Sequence, residues 1–383
     1  MTRRRLALIG PMGSGKSSLA RRYTAKHGGT VFDTDAEFTR RYGDISAFFS
    51  HSGEAEFRKA EQRLLSEAAQ SDATVISTGG GAVLGHKGMC ALRAACDIVY
   101  LNAPLDVLEK RIRSSNRPLK NSLAKTVAER APLYERYADY TIDTSVDSVR
   151  ELERALAFPR RNRYDVVLCD ADDTLLDFRK ACSVSVANTV EKLGLKCAAN
   201  DAVKAFRAVT CDVWHRLERG ELTRDTLDAE RIRQLSARLD IAIDEKSFNA
   251  VYIEEMRGTR FLRDGAIEFL IGLRSRGARV YVITNSFTRI AEERTKPLAP
   301  HVDGIFVSEK IGAYKPDAAF FDAVMRSVGC EKRRTVVFGD GESSDIAGGA
   351  AYGLDTCLYD PVGGRQTAAD YRVREYSEFL DIL

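Results

Sequence analysis

The sequence predicts an α/β protein of two consecutive domains, each built on a parallel sheet, the second with an inserted helical cap. Three observations carry this reading. Short apolar runs alternate with helical patterns at Leu6–Ile9, Thr74–Ser77, Ile98–Leu101, Val166–Cys169, Val280–Ile283 and Val336–Phe338, as expected of strands buried on both faces between helices. The pattern restarts once, after a polar, proline-containing stretch, Phe158-Pro-Arg-Arg-Asn-Arg163. A chain of 383 residues also exceeds one ordinary core, at roughly 150 residues per domain.

In chain order, Met1-Thr-Arg-Arg-Arg precedes the run Leu6–Ile9. That run is too short for the apolar core of a signal peptide and is cut off by Gly10 and Pro11, so it reads as a first strand. A helical pattern follows at Ser18–Tyr23, and another at Val146–Leu156 closes the first domain, residues 1–158. Residues 159–163 read as a linker and 164–383 as the second domain. Within it, residues 178–262 are mainly helical: Val186, Val190 and Leu193 fall on one helix face, and the block interrupts the strand pattern as an inserted cap.

Composition bounds the function classes. A hydrophobic share of 44% with 30% charged residues is that of a globular protein. No stretch approaches the roughly 18 apolar residues of a membrane span. A formal net charge of +3 argues against a broad polyanion-binding surface, and so against nucleic acid as a partner. The scattered cysteines form no C-x-x-C pair, which reads as reduced thiols in a cytoplasmic setting. Small-molecule substrates and a monomer or small homo-oligomer are the expected associations.

The first chemical signal is Gly10-Pro-Met-Gly13-Ser14-Gly15-Lys16-Ser17-Ser18, a phosphate-binding loop between a strand and a helix. Its glycines let backbone N–H groups wrap phosphates at a helix N-terminus. Lys16 would hold the β- and γ-phosphates of ATP, and Ser17 would bind Mg²⁺. Phe32-Asp33-Thr34-Asp35 places two carboxylates at i and i+2, on one side of an extended segment. One suits a metal and the other an acceptor hydroxyl. Gly53-Glu54-x-x-Phe57-Arg58 supplies a cation, and Thr78-Gly79-Gly80-Gly81 allows a ligand close to the backbone. Taken singly, Arg58 reads equally as a solvated helix face and the triple glycine as a loop.

Together these motifs resemble shikimate kinase over residues 4–157. The resemblance continues in Arg117-Pro118-Leu119, the family's lid motif, in Arg130-Ala-Pro-Leu-Tyr134, and in Ile142-Asp143-Thr144, on the adenine side. It implies that Asp35, Arg58, Gly80, Gly81 and Arg130 bind shikimate. Gly13, Ser14, Gly15, Lys16, Ser17 and Ser18 would take ATP, Ser17 and Asp33 would serve Mg²⁺, and Arg117 would reach the phosphates from the lid. The physics agrees: two arginines suit the carboxylate of shikimate, and Asp35 suits the proton its hydroxyl loses. One departure concerns the lid, which is several residues shorter than is usual between Arg117 and Arg130.

The second domain opens with a strand ending in Asp170-Ala171-Asp172-Asp173-Thr174, again two carboxylates at i and i+2, where open α/β sheets place their sites. Later strands end in Thr284-Asn285-Ser286 and in Gly339-Asp340-Gly-Glu-Ser-Ser-Asp345, and Lys315 lies in Gly312-Ala-Tyr-Lys315-Pro316-Asp317. This ordered set resembles the haloacid dehalogenase superfamily over residues 164–383, in the branch that includes pyrimidine 5′-nucleotidases. The resemblance implies a Rossmann-like core and a Mg²⁺-dependent phosphatase. Asp170 would be the nucleophile and Asp172 the acid and base. Thr284 and Lys315 would hold phosphate, Asn285 would lie beside them, and Mg²⁺ would sit on Asp170, the Asp172 backbone carbonyl, Asp340 and Asp345. The cap would set specificity. Its Trp214 reads either as a stacking platform or as cap core, beside charges such as Arg216, Arg219, Arg231 and Arg233.

The expected function is therefore bifunctional: phosphorylation of shikimate with ATP, and hydrolysis of a phosphomonoester. Three alternatives stay open from sequence: a kinase with a binding-only second domain, a kinase acting on another small hydroxy acid, and a nucleotide-binding protein with two inactive modules.

Overall fold

A computed structural model describes residues 5–113, 123–158, 160, 162–218 and 221–383. They form two compact units, one of residues 1–163 and one of residues 164–381. No helix among the described residues is long and apolar enough to cross a membrane.

The first unit has a five-stranded sheet of β1 (Leu6–Ile9), β2 (Val31–Asp33), β3 (Val75–Ser77), β4 (Asp97–Asn102) and β5 (Tyr140–Asp143), in the order β2-β3-β1-β4-β5. Every pairing is parallel. The apolar run of β1 has a direct cause. Leu6 and Leu8 pack into one core cluster and Ala7 and Ile9 into the other, so both faces are covered and alternation disappears. The edge strands behave differently: β5 alternates buried and exposed residues and β2 has three half-buried residues, which is why neither reads as an apolar run. The strand order reverses at β1, so the loop leaving it opens at a topological switch point.

The second unit has a six-stranded parallel sheet: β6 (Val166–Asp170), β7 (Arg279–Thr284), β8 (Gly304–Val307), β9 (Thr335–Gly339), β10 (Asp355–Tyr359) and β11 (Tyr371–Val373), in the order β11-β10-β9-β6-β7-β8. Cys169 and Cys357 are fully buried in β6 and β10. The order reverses between β6 and β9, and Asp170 and Asp340 lie at that crevice. Four helices, Phe178–Lys192, Ala199–Glu218, Arg224–Leu239 and Glu245–Gly258, follow β6. They share a core in which Val186 and Val190 meet Phe206, Phe248 and Tyr252.

The stretch read as a linker ends in a buried residue. Arg163 donates from Nε and Nη2 to the two carboxylate oxygens of Asp139, at 2.9 and 2.8 Å, and from Nη2 to the Cys96 carbonyl at 2.9 Å. Asp139 also accepts from the Ile98 N–H at 2.7 Å. Both side chains are 1% exposed.

Candidate active sites

In the first unit the loop after β1 takes left-handed backbone at Gly13 (φ +83°) and Gly15 (φ +92°), conformations that favour glycine. Gly15 caps the helix Lys16–His27, so its first N–H groups line the loop. The Lys16 ammonium donates to the Gly10 and Pro11 carbonyls at 2.8 and 2.9 Å. The Ser17 hydroxyl lies 3.2 Å from that of Ser77, Ser14 is buried and Ser18 is exposed.

Asp33 and Asp35 do not share one face of an extended segment, as expected from sequence. β2 ends at Asp33, and Thr34 begins a helix running to Tyr42. Asp33 caps it, with Oδ1 accepting from the Asp35 and Ala36 N–H groups at 3.1 Å each. Asp35 therefore projects from the first helical turn toward the triple glycine. A Cβ at Gly79 would stand 2.7 Å from Asp35 Oδ1 and 3.1 Å from Glu61 Oε1, and one at Gly81 would overlap Arg58 Nη1. These glycines leave room for three charged side chains. Arg58 donates to Glu61 at 2.7 Å, while Arg130 and the Tyr134 hydroxyl both donate to the Gly80 carbonyl, at 3.1 and 2.6 Å. Burial pushes the Glu61 carboxyl upward, and Arg58 offsets part of that rise. A cavity of about 880 Å³ gathers Lys16, Ser17, Asp33, Asp35, Arg58 and Arg130, with apolar walls at Phe49, Phe57 and Val127. Arg117 lies outside the described residues.

In the second unit the Lys315 ammonium bridges Asp170 Oδ1 and Asp345 Oδ1, at 2.6 Å each. Burial alone would lower the Lys315 pKa, but the two carboxylates outweigh it and raise it. Asn285 fixes the Lys315 backbone, accepting from its N–H at 2.9 Å and donating to its carbonyl at 2.8 Å. Oxygens of Asp170, Asp340 and Asp345 all lie within 4.8 Å of one another. Burial raises the Asp170 pKa, against the pull of Lys315. Burial, with the charge of Asp345, pushes Asp340 up to about 7. Such a trio of mutually opposed oxygens fits a small hard cation. Thr284 is buried at the end of β7, and Asp172 Oδ1 accepts from Arg294 Nη1 at 2.6 Å.

The pattern of the shikimate kinase family matches residues 12–157, and that of the haloacid dehalogenase-like hydrolases matches residues 164–353. A shikimate kinase from Actinobacillus pleuropneumoniae serotype 5b (strain L20) is 37% identical over 156 residues, covering 39% of this chain and 90% of that one. The chain belongs to the shikimate kinase family. A second shikimate kinase, from Thioalkalivibrio sulfidiphilus, is 34% identical over 178 residues, covering 44% of this chain and 94% of its own. Beyond the kinase region, the solved HAD-hydrolase YfnB of Bacillus subtilis, bound to magnesium, shares 27% identity with a TM-score of 0.55, over 58% of this chain and 99% of that one. The C-terminal half is a haloacid dehalogenase-like hydrolase domain.

Four residues of these two sites carried no assignment from sequence. In the shikimate kinase half, Glu61 holds Arg58, and Arg111 ties the nucleotide loop to the strand-β5 side, donating to the Gly13 carbonyl at 3.3 Å and the Thr144 carbonyl at 2.5 Å. In the hydrolase half, the buried Thr174 hydroxyl accepts from the Asp340 N–H at 3.0 Å and lies 3.3 Å from Asp340 Oδ1. Arg294, 2% exposed, holds Asp172. Thr174 stood inside the quoted Asp-x-Asp-Asp-Thr motif. Arg294 follows Thr284 by ten residues and had no comparable signal.

Proposed function

We propose that the kinase half transfers the γ-phosphoryl group of ATP to a hydroxyl of shikimate, and that the hydrolase half cleaves a different phosphomonoester through a phosphorylated Asp170. The kinase reading is supported chiefly by one cavity that joins the phosphate loop to Asp35, Arg58 and Arg130. Arg58 and Arg130 would engage the shikimate carboxylate by charge-assisted bonds. Asp35 would take the proton of the attacking hydroxyl, and Lys16 would hold the phosphates, joined by Arg117 from the lid. Ser17 and the second carboxylate oxygen of Asp33 suit the Mg²⁺ that accompanies ATP.

The phosphatase reading is supported by Lys315 held between Asp170 and Asp345, beside Asp340. Those three carboxylates, with the Asp172 backbone carbonyl, would hold Mg²⁺. The ion would offset the repulsion between an anionic nucleophile and an anionic ester. Asp170 attacks phosphorus as the ester P–O bond breaks, and Asp172 gives its proton to the departing alcohol. Asp172 then takes a proton from water, whose oxygen attacks the phosphoryl group and releases Asp170 with inorganic phosphate. Lys315 and Thr284 stabilise the phosphoryl oxygens, and Asn285 holds Lys315 in place.

The first test measures ADP release from Mg-ATP in Asp170→Asn protein, which prevents phosphate cycling. Saturable, shikimate-dependent release, lost by a factor on the order of 10² or more on Asp35→Asn, is the expected result. No dependence on shikimate would turn the assignment to another hydroxy acid. Hydrolysing shikimate 3-phosphate would only consume ATP, so wild-type protein should release phosphate from it more slowly than from a panel of nucleotides, sugar phosphates and phosphorylated acids.

A further inference from the structure

We infer that the hydrolase half acts on small phosphomonoesters whose leaving group is an uncharged, apolar alcohol. The inference rests on the phosphatase reading above and names the substrate class of that same site. The cavity over Asp170 is about 220 Å³, against about 880 Å³ in the kinase half. It falls below the roughly 300–1,000 Å³ of ordinary small-molecule pockets, which favours a short chain or a single ring. Its floor is the phosphate machinery of the core. Its other walls are mainly apolar: Phe178, Trp214, Ile253, Met256, Phe287 and Ile290.

Local structure delivers these walls. Ile253 and Met256 are three apart on the cap helix Glu245–Gly258, a spacing that puts them on one face. Phe287 caps the core helix Thr288–Arg294, and Ile290 follows in its first turn. Packing then fixes them. Ile253, Met256 and Ile290 are buried in the cap core, and Phe178 and Phe287 pack against it.

The cations beside these walls are already matched. Arg231 Nη2 donates to Asp228 at 2.6 Å and to Asn249 at 3.4 Å, and Arg294 Nη1 donates to Asp172 at 2.6 Å. Each guanidinium also lies over aromatic faces. Arg231 stands over Phe206 and Tyr252, at 5.2 and 5.4 Å, and Arg294 over Phe178 at 5.6 Å. Arg231 is 5% exposed and Arg294 2%, so neither offers the cavity much charged surface. A leaving group with a charge of its own would enter without a counter-ion, and burying an unpaired charge is costly. An apolar one only exchanges water for apolar walls, which is favourable. The same walls disfavour shikimate 3-phosphate, whose carboxylate has no partner there, so the product proposed for the kinase half is spared. The reaction remains a hydrolysis: water and the ester give the neutral alcohol and inorganic phosphate.

The experiment compares phosphate release by the full chain, in Mg²⁺, from benzyl phosphate, its para-carboxylate and sn-glycerol 3-phosphate. Benzyl alcohol is no better a leaving group than glycerol, so a preference reports on the pocket and not on the bond broken. The expected kcat/KM for benzyl phosphate exceeds that for each of the others by roughly tenfold or more. Met256→Gln, nearly unchanged in length, should narrow the gap to glycerol 3-phosphate, chiefly through the KM of the benzyl ester. Asp228→Asn removes the carboxylate matched to Arg231 and should narrow the gap to the para-carboxylate. If Asp228→Asn does not fold, Met256→Gln decides alone. Wild-type preference for either polar ester overturns the inference. So does a folded variant that slows all three esters equally and leaves its ratio standing, because that is the signature of a structural role. p-Nitrophenyl phosphate separates the two levels. Turnover of it that is lost on Asp170→Asn, without preference for the benzyl ester over the polar ones, overturns the substrate class alone. Absence of any phosphomonoesterase activity overturns the phosphatase reading and this inference together.

Discussion

Lys315 is a single positive charge between two buried carboxylates, and its removal should be felt as stability before it is felt as rate. Lys315→Met leaves Asp170 and Asp345 facing each other without a counter-ion. The loss of one partner from a buried ionic group costs about 3–5 kcal/mol, read as a lowered denaturant midpoint. Saturating Mg²⁺ should recover part of that loss, since the trio of oxygens offers it a site, while hydrolysis stays abolished. Gly81→Ala makes the opposite kind of change in the other half. Its new methyl would press only on the tip of Arg58, a flexible side chain, so the melting temperature should barely move. The KM for shikimate should rise about tenfold or more, the cost of a displaced charge-assisted contact, in steady-state kinetics with ATP saturating.

At the scale of elements, Asp33 is the clearest case of one residue with two candidate duties. It caps the helix Thr34–Tyr42 through Oδ1, which leaves its other oxygen for metal. Asn caps as well as Asp, while Ala costs about 1 kcal/mol. If capping dominates, Asp33→Asn should keep the wild-type Mg²⁺ requirement of ATP turnover and only Asp33→Ala should melt lower. If the metal duty dominates, both variants should need more Mg²⁺. Elements also explain what could be read beforehand. The phosphate loop, the Asp170–Thr174 motif and the Gly339–Asp345 segment are contiguous, because a strand end and the turn after it deliver several groups at once. Buried central strands such as β1 and β6 were equally legible, since two covered faces demand unbroken apolar runs. Glu61, Arg111 and Arg294 were not. Each is one residue on a helix, brought to its site by packing, and a lone charge on a helix has the same appearance whether it faces water or a carboxylate. Arg231 was visible only as one of several cap charges, and its burial against Phe206 and Tyr252 is a property of the folded cap.

At the scale of the whole chain, the residues fall into two compact units, and the first unit has an acid-sensitive fastening. Burial alone would raise the Asp139 carboxyl, but Arg163 outweighs it and holds the pKa below the ordinary value. A lowered folded-state pKa adds stability that is fully present above the unfolded carboxylate's pKa and is lost as pH falls through the folded value. The thermal stability of the first unit should therefore fall below about pH 4. Asp139→Asn should remove that dependence, at a cost of about 3–5 kcal/mol at neutral pH for stranding a buried guanidinium.

Anyone dividing this protein to assay its halves separately would choose the proline-containing stretch near residue 160 as the natural seam. That cut would leave Arg163 on the wrong fragment and Asp139 without its counter-ion. The usable seam lies behind Arg163, and a piece ending there should melt at a higher temperature than one ending three residues earlier.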